Sequence, residues 1–252
     1  MAERYYWPGF PQITVNGTVE LSGDEAHHLT RVMRQKSGNR VTLFDGNGHE
    51  FSAVITGMHK NDVSLRILEM REVDTEPLRQ VTLAVSLPKG DRQKWLVEKL
   101  TELGCRRLIP LQTERGVAQC SEQVLERLRR QVIEATKQCS RTQFMQIMPE
   151  RSIADCVAET MSSDCDAKTS DVAGWIAHPR SDGDFGQWDL SRLMQTALPL
   201  NVLVLVGPEG GFTEQEVEQA VVLGLQTLDL GPRILRIETA AIMLTAILTA
   251  HV

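Results

Sequence analysis

Downstream of residue 79, short apolar runs rich in β-branched residues alternate with amphipathic helical patterns, and this alternation restricts the fold more than any other feature. The runs include "RQVTLAVSL", "RRLIPL", "DVAGWIA" and "NVLVLV", and the helical stretches include "DRQKWLVEKLTELG" and "SEQVLERLRRQVIEATKQ". Strands that alternate with helices form a parallel sheet covered on both faces. The sequence therefore predicts an α/β domain whose ligand crevice lies beyond the carboxyl ends of its strands.

The preceding residues have a different, mostly β pattern. The stretch "RVTLFDGNGHEFSAVI" alternates on either side of an Asp-Gly, Asn-Gly turn, which favours a hairpin. "NDVSLRILEM" predicts another strand, and "DEAHHLTRVMRQ" predicts one helix, with Ser22 or Asp24 as its cap. These elements are typical of a small β-barrel.

The charged segment "REVDTEPL", which contains Pro77, is typical of a linker. We therefore expect a β domain over residues 1–72, a linker over 73–79 and the α/β domain over 80–252. We interpret residues 162–171 as a surface loop and assign them no function.

Composition predicts a cytoplasmic protein without a metal. The 252 residues include no apolar run of about 18, so no membrane span is expected, and "MAERYYWPGF" lacks the apolar region of a secretory signal. The five cysteines have neither a C-x-x-C pair nor metal-ligand spacing, which favours free thiols in a reducing compartment.

Charge is segregated along the chain. Residues 76–141 contain 13 Lys and Arg against 8 Asp and Glu, whereas residues 142–252 contain 6 against 15. The stretch "LTRVMRQKSGNR" adds four cations and no anion. Such asymmetry indicates a basic face for a polyanion, although solvated helix faces would produce the same composition.

Three loops are expected at the ligand edge of the sheet: His178–Arg180, Gly207–Gly211 and Leu230–Thr239. The loop "GPEGG" lacks the lysine of a phosphate-binding P-loop, and Glu209 would repel a phosphate. It suits a ligand with hydroxyls, amides or a positive charge, such as S-adenosylmethionine, a nucleoside that carries a sulfonium. A simple turn before a helix is the alternative.

The second loop, "LGPRILRIETAA", contains two arginines three positions apart, Arg233 and Arg236, followed by Glu238. Two cations beside a glycine loop would orient an RNA phosphate or stabilise an anion that develops on a base.

Taken in order, "VSLPKGDRQKWLVEKLTELG", "TERG", "HPR", "LVGPEGG" and "LGPRILRIETAA" resemble the bacterial ribosomal RNA small subunit methyltransferase E family. The N-terminal "HHLTRVMRQKSGNRVTLFDGNG" resembles the RNA-binding domain of that family. The resemblance implies a PUA-like β-barrel, then a SPOUT-type α/β domain with a C-terminal trefoil knot. It also implies methyl transfer from S-adenosylmethionine to N3 of one uridine in 16S rRNA. One departure is Ser140, where a more glycine-like residue is expected.

With this chemistry in view, residues are assigned to three roles. For the cofactor we expect contacts from His178, Gly207, Glu209, Gly210, Gly211, Leu230, Gly231 and Leu235. For catalysis we expect Arg236, then Arg233, as stabilisers of the uridine anion, and Glu238 as base or orienter. For RNA we expect contacts from Arg31, Arg34, Lys36, Lys89, Arg92 and Arg141.

Two other functions fit the same residues. One is another SPOUT enzyme, such as a tRNA ribose 2′-O-methyltransferase, and the other is a non-catalytic RNA-binding protein. Intact glycines in both loops disfavour the non-catalytic alternative. The final stretch "ETAAIMLTAILTAHV" is apolar around nearly its whole circumference, which predicts a homodimer through this helix.

Overall fold

The computed structural model describes residues 4–9, 14–118, 120–161, 172–179, 193 and 199–250. They form two compact units, Met1–Glu76 with Ile133–Phe144, and Pro77–Val132 with Met145–Val252. The loop expected over residues 162–171 and the predicted site position Arg180 lie outside the described residues.

The first unit contains a five-stranded sheet in the order β1-β3-β4-β5-β2. Its strands are β1 (Arg4–Tyr6), β2 (Thr18–Ser22), β3 (Arg40–Phe44), β4 (His49–Met58) and β5 (Asp62–Glu72). Only the β1–β3 pair is parallel among these neighbours. Alternate residues of the strands point into one apolar core, including Val41, Leu43, Phe51, Ala53, Ile55, Val63, Leu65 and Ile67. The small β unit is therefore confirmed.

The predicted hairpin joins β3 to β4 through the turn at residues 45–48. The Asp45 carboxylate is buried and accepts hydrogen bonds from the backbone N–H groups of Asn47 (2.7 Å) and His49 (3.1 Å). In this tight turn the Asp45 carboxylate serves as the hydrogen-bond acceptor for these two N–H groups.

The helix predicted within "DEAHHLTRVMRQ" is shorter and less regular than expected. The α-helix α1 covers Gly23–His27, and a single π-helical turn follows over His28–Val32. The N–H of Met33 donates to the carbonyl of His28, which is the five-residue spacing of a π turn. Arg34, two positions after the end of the π turn at Val32, has a φ of +51°. The prediction of one uninterrupted helix is therefore wrong in its extent.

The second unit contains a six-stranded sheet in the order β11-β9-β10-β6-β7-β8. Its strands are β6 (Gln80–Val85), β7 (Arg107–Pro110), β8 (Gln146–Ile147), β9 (Val172–Ala177), β10 (Asn201–Val206) and β11 (Gln226–Leu228). Every pair of neighbours is parallel, which confirms the predicted sheet. Strand β8 was not anticipated, because two residues give no detectable periodicity.

The helices predicted from "DRQKWLVEKLTELG", "SEQVLERLRRQVIEATKQ" and "ETAAIMLTAILTAHV" are confirmed, and further helices lie between the second and third of them. In chain order these helices are α2 (Arg92–Glu102), α3 (Glu122–Cys139), α4 (Ile153–Met161), α5 (Glu214–Val222) and α6 (Ile237–Thr249). The start of α5 is fixed by a capping box, in which the Thr213 hydroxyl and the Glu216 carboxylate bind each other's backbone N–H.

The end of α3 and the turn after it, residues 133–144, belong to the first unit. Arg141 is 4% exposed and makes two hydrogen bonds to the Glu76 carboxylate. The Thr142 hydroxyl donates to the carbonyl of Val73, and Lys137 pairs with Glu25 at 2.8 Å. The two compact units therefore do not divide the chain simply at residues 73–79.

The Arg141 guanidinium is buried and paired with Glu76, so we correct its predicted RNA contact to a structural role.

Ser140, the residue that departs from the family pattern, has a φ of +64°. Its position is therefore left-handed, as the glycine-like expectation implied.

The left-handed conformation destabilises the folded state by about 1–2 kcal/mol for a residue with a Cβ, and glycine avoids this strain. Glycine also lowers stability by about 0.4–1 kcal/mol, because it raises the conformational entropy of the unfolded chain. We expect Ser140→Gly to be more stable than Ser140→Ala by roughly 0.5–1 kcal/mol in urea unfolding. The Ala variant controls for loss of the hydroxyl, and an Ala variant as stable as the Gly variant would contradict the prediction.

Candidate functional site

The loops that follow β9, β10 and β11 meet at one edge of the parallel sheet. The register pairs Val206 with Ala177 and Leu228 with Ala177, so the three strands end at nearly the same level. A cavity of about 470 Å³ lies beyond these ends. Its lining residues are Ala177–Pro179, Val206–Phe212, Asp229–Leu235, Ile237 and Ala240. The structure thus brings together seven loop positions and the histidine that the sequence assigned to a cofactor.

The loop after β10 is a tight turn shaped by its glycines. The N–H of Gly211 donates to the carbonyl of Pro208 at 2.8 Å, and Gly211 has a φ of +69°, which favours glycine. A side chain at Gly207 would meet the ring of Phe212 at 3.0 Å. These two glycines are therefore required by the fold of the loop itself, apart from any ligand.

The loop after β11 is shaped by Asp229, which sequence reasoning missed. This carboxylate is 7% exposed and accepts a hydrogen bond from the N–H of Gly231 at 2.8 Å. Gly231 has a φ of +96°. The signal that would have identified Asp229 is its spacing, because an Asp two residues before a glycine is typical of a turn closed by the Asp side chain.

His178 lies at the end of β9 and lines the same cavity. Its backbone N–H donates to the carbonyl of Leu228 at 3.0 Å, which fixes its position against β11. Burial lowers the pKa of the imidazole, and the negative charges of Asp229 and Glu214 only partly oppose this effect. The ring is therefore neutral at pH 7. Its Nδ1 is buried and has no hydrogen-bond partner among the described residues.

Three charged residues from separate elements meet beside the turn after β10. Arg92, at the start of α2, donates to Glu209 at 2.9 Å, and its other terminal nitrogen lies 3.7 Å from Glu238. The longer distance is an electrostatic contact, because 3.7 Å exceeds a hydrogen bond. The guanidinium of Arg92, for which an RNA phosphate was predicted, therefore faces two carboxylates. In this structure Arg92 is placed to orient Glu209 and Glu238, and its RNA contact stays a prediction.

Glu238, a predicted base or orienter, lies in the first turn of α6 and is 4% exposed. Its Oε2 has no hydrogen-bond partner within the described part of the chain. A carboxylate shielded from the surface and facing Arg92 is suited to orienting that arginine. Exchange of a proton with an RNA base would require it to be reached from outside, so the geometry favours the orienting role.

The two predicted catalytic arginines occupy different positions. Arg233 is among the residues that line the cavity. Arg236 is the N-cap residue of α6, is exposed, and lies between two cavity-lining residues, Leu235 and Ile237. Both arginines are exposed, and of the two only Arg233 is itself a cavity-lining residue.

The remaining predicted RNA contacts are on the surface. Arg31, Arg34 and Lys36 are exposed in and after the π-helical turn of the first unit. Lys89 is exposed in the second unit, just before α2. Their roles stay predictions.

Metal and thiol chemistry find little support among the described residues. No group of three or more His, Cys, Asp or Glu in this part of the chain could hold a metal ion. Burial raises the pKa of the Cys156 thiol to about 12 and that of Cys120 to about 11, which keeps both thiols protonated. Within the same ranges, no helix has the length and apolar character to cross a membrane.

Two family models match the chain. Residues 21–68 match an RNA methyltransferase PUA domain, and residues 74–249 match an RNA methyltransferase domain. Over 235 residues the chain is 30% identical to ribosomal RNA small subunit methyltransferase E of Bacillus subtilis (strain 168). The aligned region covers 91% of this chain and 88% of that protein. The chain belongs to the ribosomal RNA small subunit methyltransferase E family.

Solved structures of the same kind superpose along the whole chain. A methyltransferase from Legionella pneumophila with bound S-adenosylmethionine matches with a TM-score of 0.84 and 31% identity, over 99% of this chain and 98% of that one. Ribosomal RNA small subunit methyltransferase E from Neisseria gonorrhoeae, bound to S-adenosylmethionine, matches with a TM-score of 0.80 and 29% identity, over 98% and 96%. The first unit is therefore of the PUA type, and the second is a SPOUT-type parallel α/β domain.

The lowered pKa of His178 leads to a test by pH. Its pKa lies below the unfolded value of 6.5, so the unfolded chain binds more protons in the window just below pH 6.5. The contribution of the neutral ring is fully present above that window and is lost as the pH falls through the folded pKa. We expect the unfolding free energy of the wild type to fall more steeply between pH 7 and 5 than that of His178→Gln, measured by urea unfolding. His59→Gln, an exposed histidine between β4 and β5, is the control and should keep the wild-type slope. Equal slopes in the wild type and His178→Gln would contradict the prediction.

Proposed function

We propose that this protein transfers a methyl group from S-adenosylmethionine to N3 of a uridine in the 16S rRNA of the small ribosomal subunit. The observation that carries the proposal is the cavity at the ends of β9, β10 and β11, which two glycine turns enclose and which Glu209 and Arg233 line. The names of the relatives and the cofactor bound by the two solved neighbours support this choice of donor and substrate.

The cavity fits the donor in size and chemistry. Its volume of about 470 Å³ is within the range of small-molecule sites. The apolar side chains of Leu235, Ile237 and Ala240 offer a surface for an adenine ring, and the turns at 207–211 and 230–231 offer backbone groups for polar atoms. Glu209 and the neutral His178 are compatible with a cationic sulfonium, whereas a phosphate would be repelled by Glu209.

The donor supplies an already activated methyl group, so the chain has to provide position and electrostatics. N3 of uridine is an imide nitrogen between two carbonyls, and it becomes a nucleophile when its proton passes to solvent water. The new bond from N3 to the methyl carbon replaces the sulfur–methyl bond, whose electron pair stays on the sulfur of the departing S-adenosylhomocysteine. Arg236 would stabilise the resulting negative charge from outside the cavity. Arg233, which lines the cavity, would contribute to the same stabilisation after Arg236, and Arg92 and Glu238 would orient Glu209.

RNA contacts are proposed for Arg31, Arg34, Lys36 and Lys89, all of which are exposed cations. Contacts with phosphates position an RNA without reading its sequence, and they make binding sensitive to salt. The trefoil knot and the cytoplasmic location remain part of the proposal.

The protein is proposed to act as a homodimer through α6. One face of this helix is buried within the protomer, including Ala241, Leu244 and Leu248. The opposite face carries Ile242, Met243, Ala246 and Ile247, which are only half-buried. Beside the cavity, Ile234 is 99% exposed. A partly exposed apolar helix face and a fully exposed isoleucine are both typical of an interface, and a twofold dimer would cover them.

The central experiment is incubation of the protein with labelled S-adenosylmethionine and undermethylated small subunits, followed by mapping of the modified nucleoside. N3-methyluridine in 16S rRNA supports the proposal. A ribose 2′-O-methyl group in tRNA would instead identify another SPOUT activity. The absence of methyl transfer to any RNA would favour a non-catalytic RNA-binding protein.

In the same assay, Arg236→Ala should lower the methylation rate by on the order of 100-fold, because a donor to developing charge acts mainly in the transition state. Its affinity for S-adenosylmethionine, measured by calorimetry, should change little. Arg233→Ala is the matched comparison and should lower the methylation rate by less than Arg236→Ala does. If cofactor affinity falls as much as turnover in Arg236→Ala, the residue has a cofactor or structural role.

For the dimer, an Ile242→Glu, Ile247→Glu double variant should run as a monomer or fail to fold, because burying two carboxylates in an apolar contact is costly. Val222→Glu places the same charge at an apolar residue of α5 that is 86% exposed, and it should remain dimeric and active. Light scattering that finds a fully active wild-type monomer at micromolar concentration would contradict the dimer.

A further inference from the structure

The motif "TERG", Thr113–Gly116, has no role in the proposed chemistry, yet it is attached to the cofactor loop. It forms a turn beyond β7, in which the N–H of Gly116 donates to the carbonyl of Thr113 at 3.1 Å. The Thr113 hydroxyl lies 3.2 Å from the hydroxyl of Ser86, which directly follows β6. The turn is therefore anchored on the sheet beside the strand that carries the cofactor loop.

Two hydrogen bonds connect this turn to both ends of the segment 210–216. Arg115 donates from a terminal guanidinium nitrogen to the carbonyl of Gly210 at 2.8 Å. The N–H of Glu114 donates to one carboxylate oxygen of Glu216 at 2.8 Å, and the other oxygen of Glu216 accepts from the N–H of Thr213 at 2.8 Å. The glycine turn and the start of α5 are thus held by the same neighbouring loop.

The stem of Arg115 also covers Gly210. A Cβ built on Gly210 would lie 3.3 Å from Cδ and 3.6 Å from Cβ of Arg115. A side chain at Gly210 would therefore meet Arg115. Glycine at 210 leaves room for an arginine to lie across the outside of the turn.

We propose that Arg115 is a positioning residue for methyl transfer, which fixes the carbonyl of Gly210 and so keeps the 207–211 turn in its binding shape. Arg115 is not among the cavity-lining residues, so it acts on the cofactor only through the loop. This inference rests on the proposed function, because it needs S-adenosylmethionine as the ligand of that loop. A loop held in its bound conformation loses less entropy on binding, and this is the source of the expected affinity.

The exposure of Arg115 raises the alternative that it contacts an RNA phosphate. Calorimetry with S-adenosylmethionine in the absence of RNA separates the two roles. Arg115→Ala should weaken cofactor binding about tenfold, the effect of losing one charge-assisted hydrogen bond, and should raise the cofactor KM with little change in kcat. Arg115→Lys should recover part of the affinity, because one donor is restored. Arg129→Ala, a half-buried arginine of α3 paired with Glu122 and Glu126, is the matched control and should bind as the wild type.

A double-variant cycle tests the contact with Gly210 directly. Gly210→Ala should weaken cofactor binding when Arg115 is present, because the new methyl displaces the arginine stem. In an Arg115→Ala background the same substitution should cost little, so the two effects should not add. Unchanged cofactor affinity in Arg115→Ala, or additive losses in the double variant, would overturn the proposal. A fall in RNA affinity alone would assign Arg115 to a phosphate. If the wild type binds no S-adenosylmethionine, the proposed function fails. If the wild type and Arg115→Ala bind it equally well, only the role of Arg115 fails.

Discussion

The parallel register of β9, β10 and β11 determines where this protein can bind a small ligand. Because the three strands end at nearly the same level, the loops that follow them open at one edge of the sheet and enclose one cavity. Parallel strands direct their carboxyl ends to the same side, so residues separated by more than 50 positions in sequence become neighbours. The candidate cofactor site follows from this arrangement.

The loops keep their shape through polar contacts that lie outside the cavity. Asp229 closes the turn after β11, and Arg115 with Glu114 holds the turn after β10 from the neighbouring loop. Arg92 lies between the carboxylates of Glu209 and Glu238. Each contact leaves backbone groups of the cavity wall in a defined position before a ligand arrives, which is the condition for catalysis by positioning.

Elements with strong local signals could be predicted from the sequence. The hairpin was visible in its Asp-Gly, Asn-Gly turn and the parallel sheet in its alternation with helices, whereas the left-handed position at Ser140 was expected only from the family resemblance. The remainder depends on contacts between distant residues. The pairing of Arg141 with Glu76 joins positions 65 apart, and the tether from Arg115 to Gly210 joins positions 95 apart. No local pattern encodes such pairs, and solvated and paired arginines look the same in a sequence.

The most direct test of this account is a crystal structure of the protein with S-adenosylmethionine. The account predicts the cofactor in the cavity beyond β9, β10 and β11, with its polar atoms against the turns at 207–211 and 230–231 and with Arg115 still bound to the carbonyl of Gly210. A cofactor bound elsewhere, or a cavity that remains empty at saturating cofactor while binding is measured in solution, would contradict it.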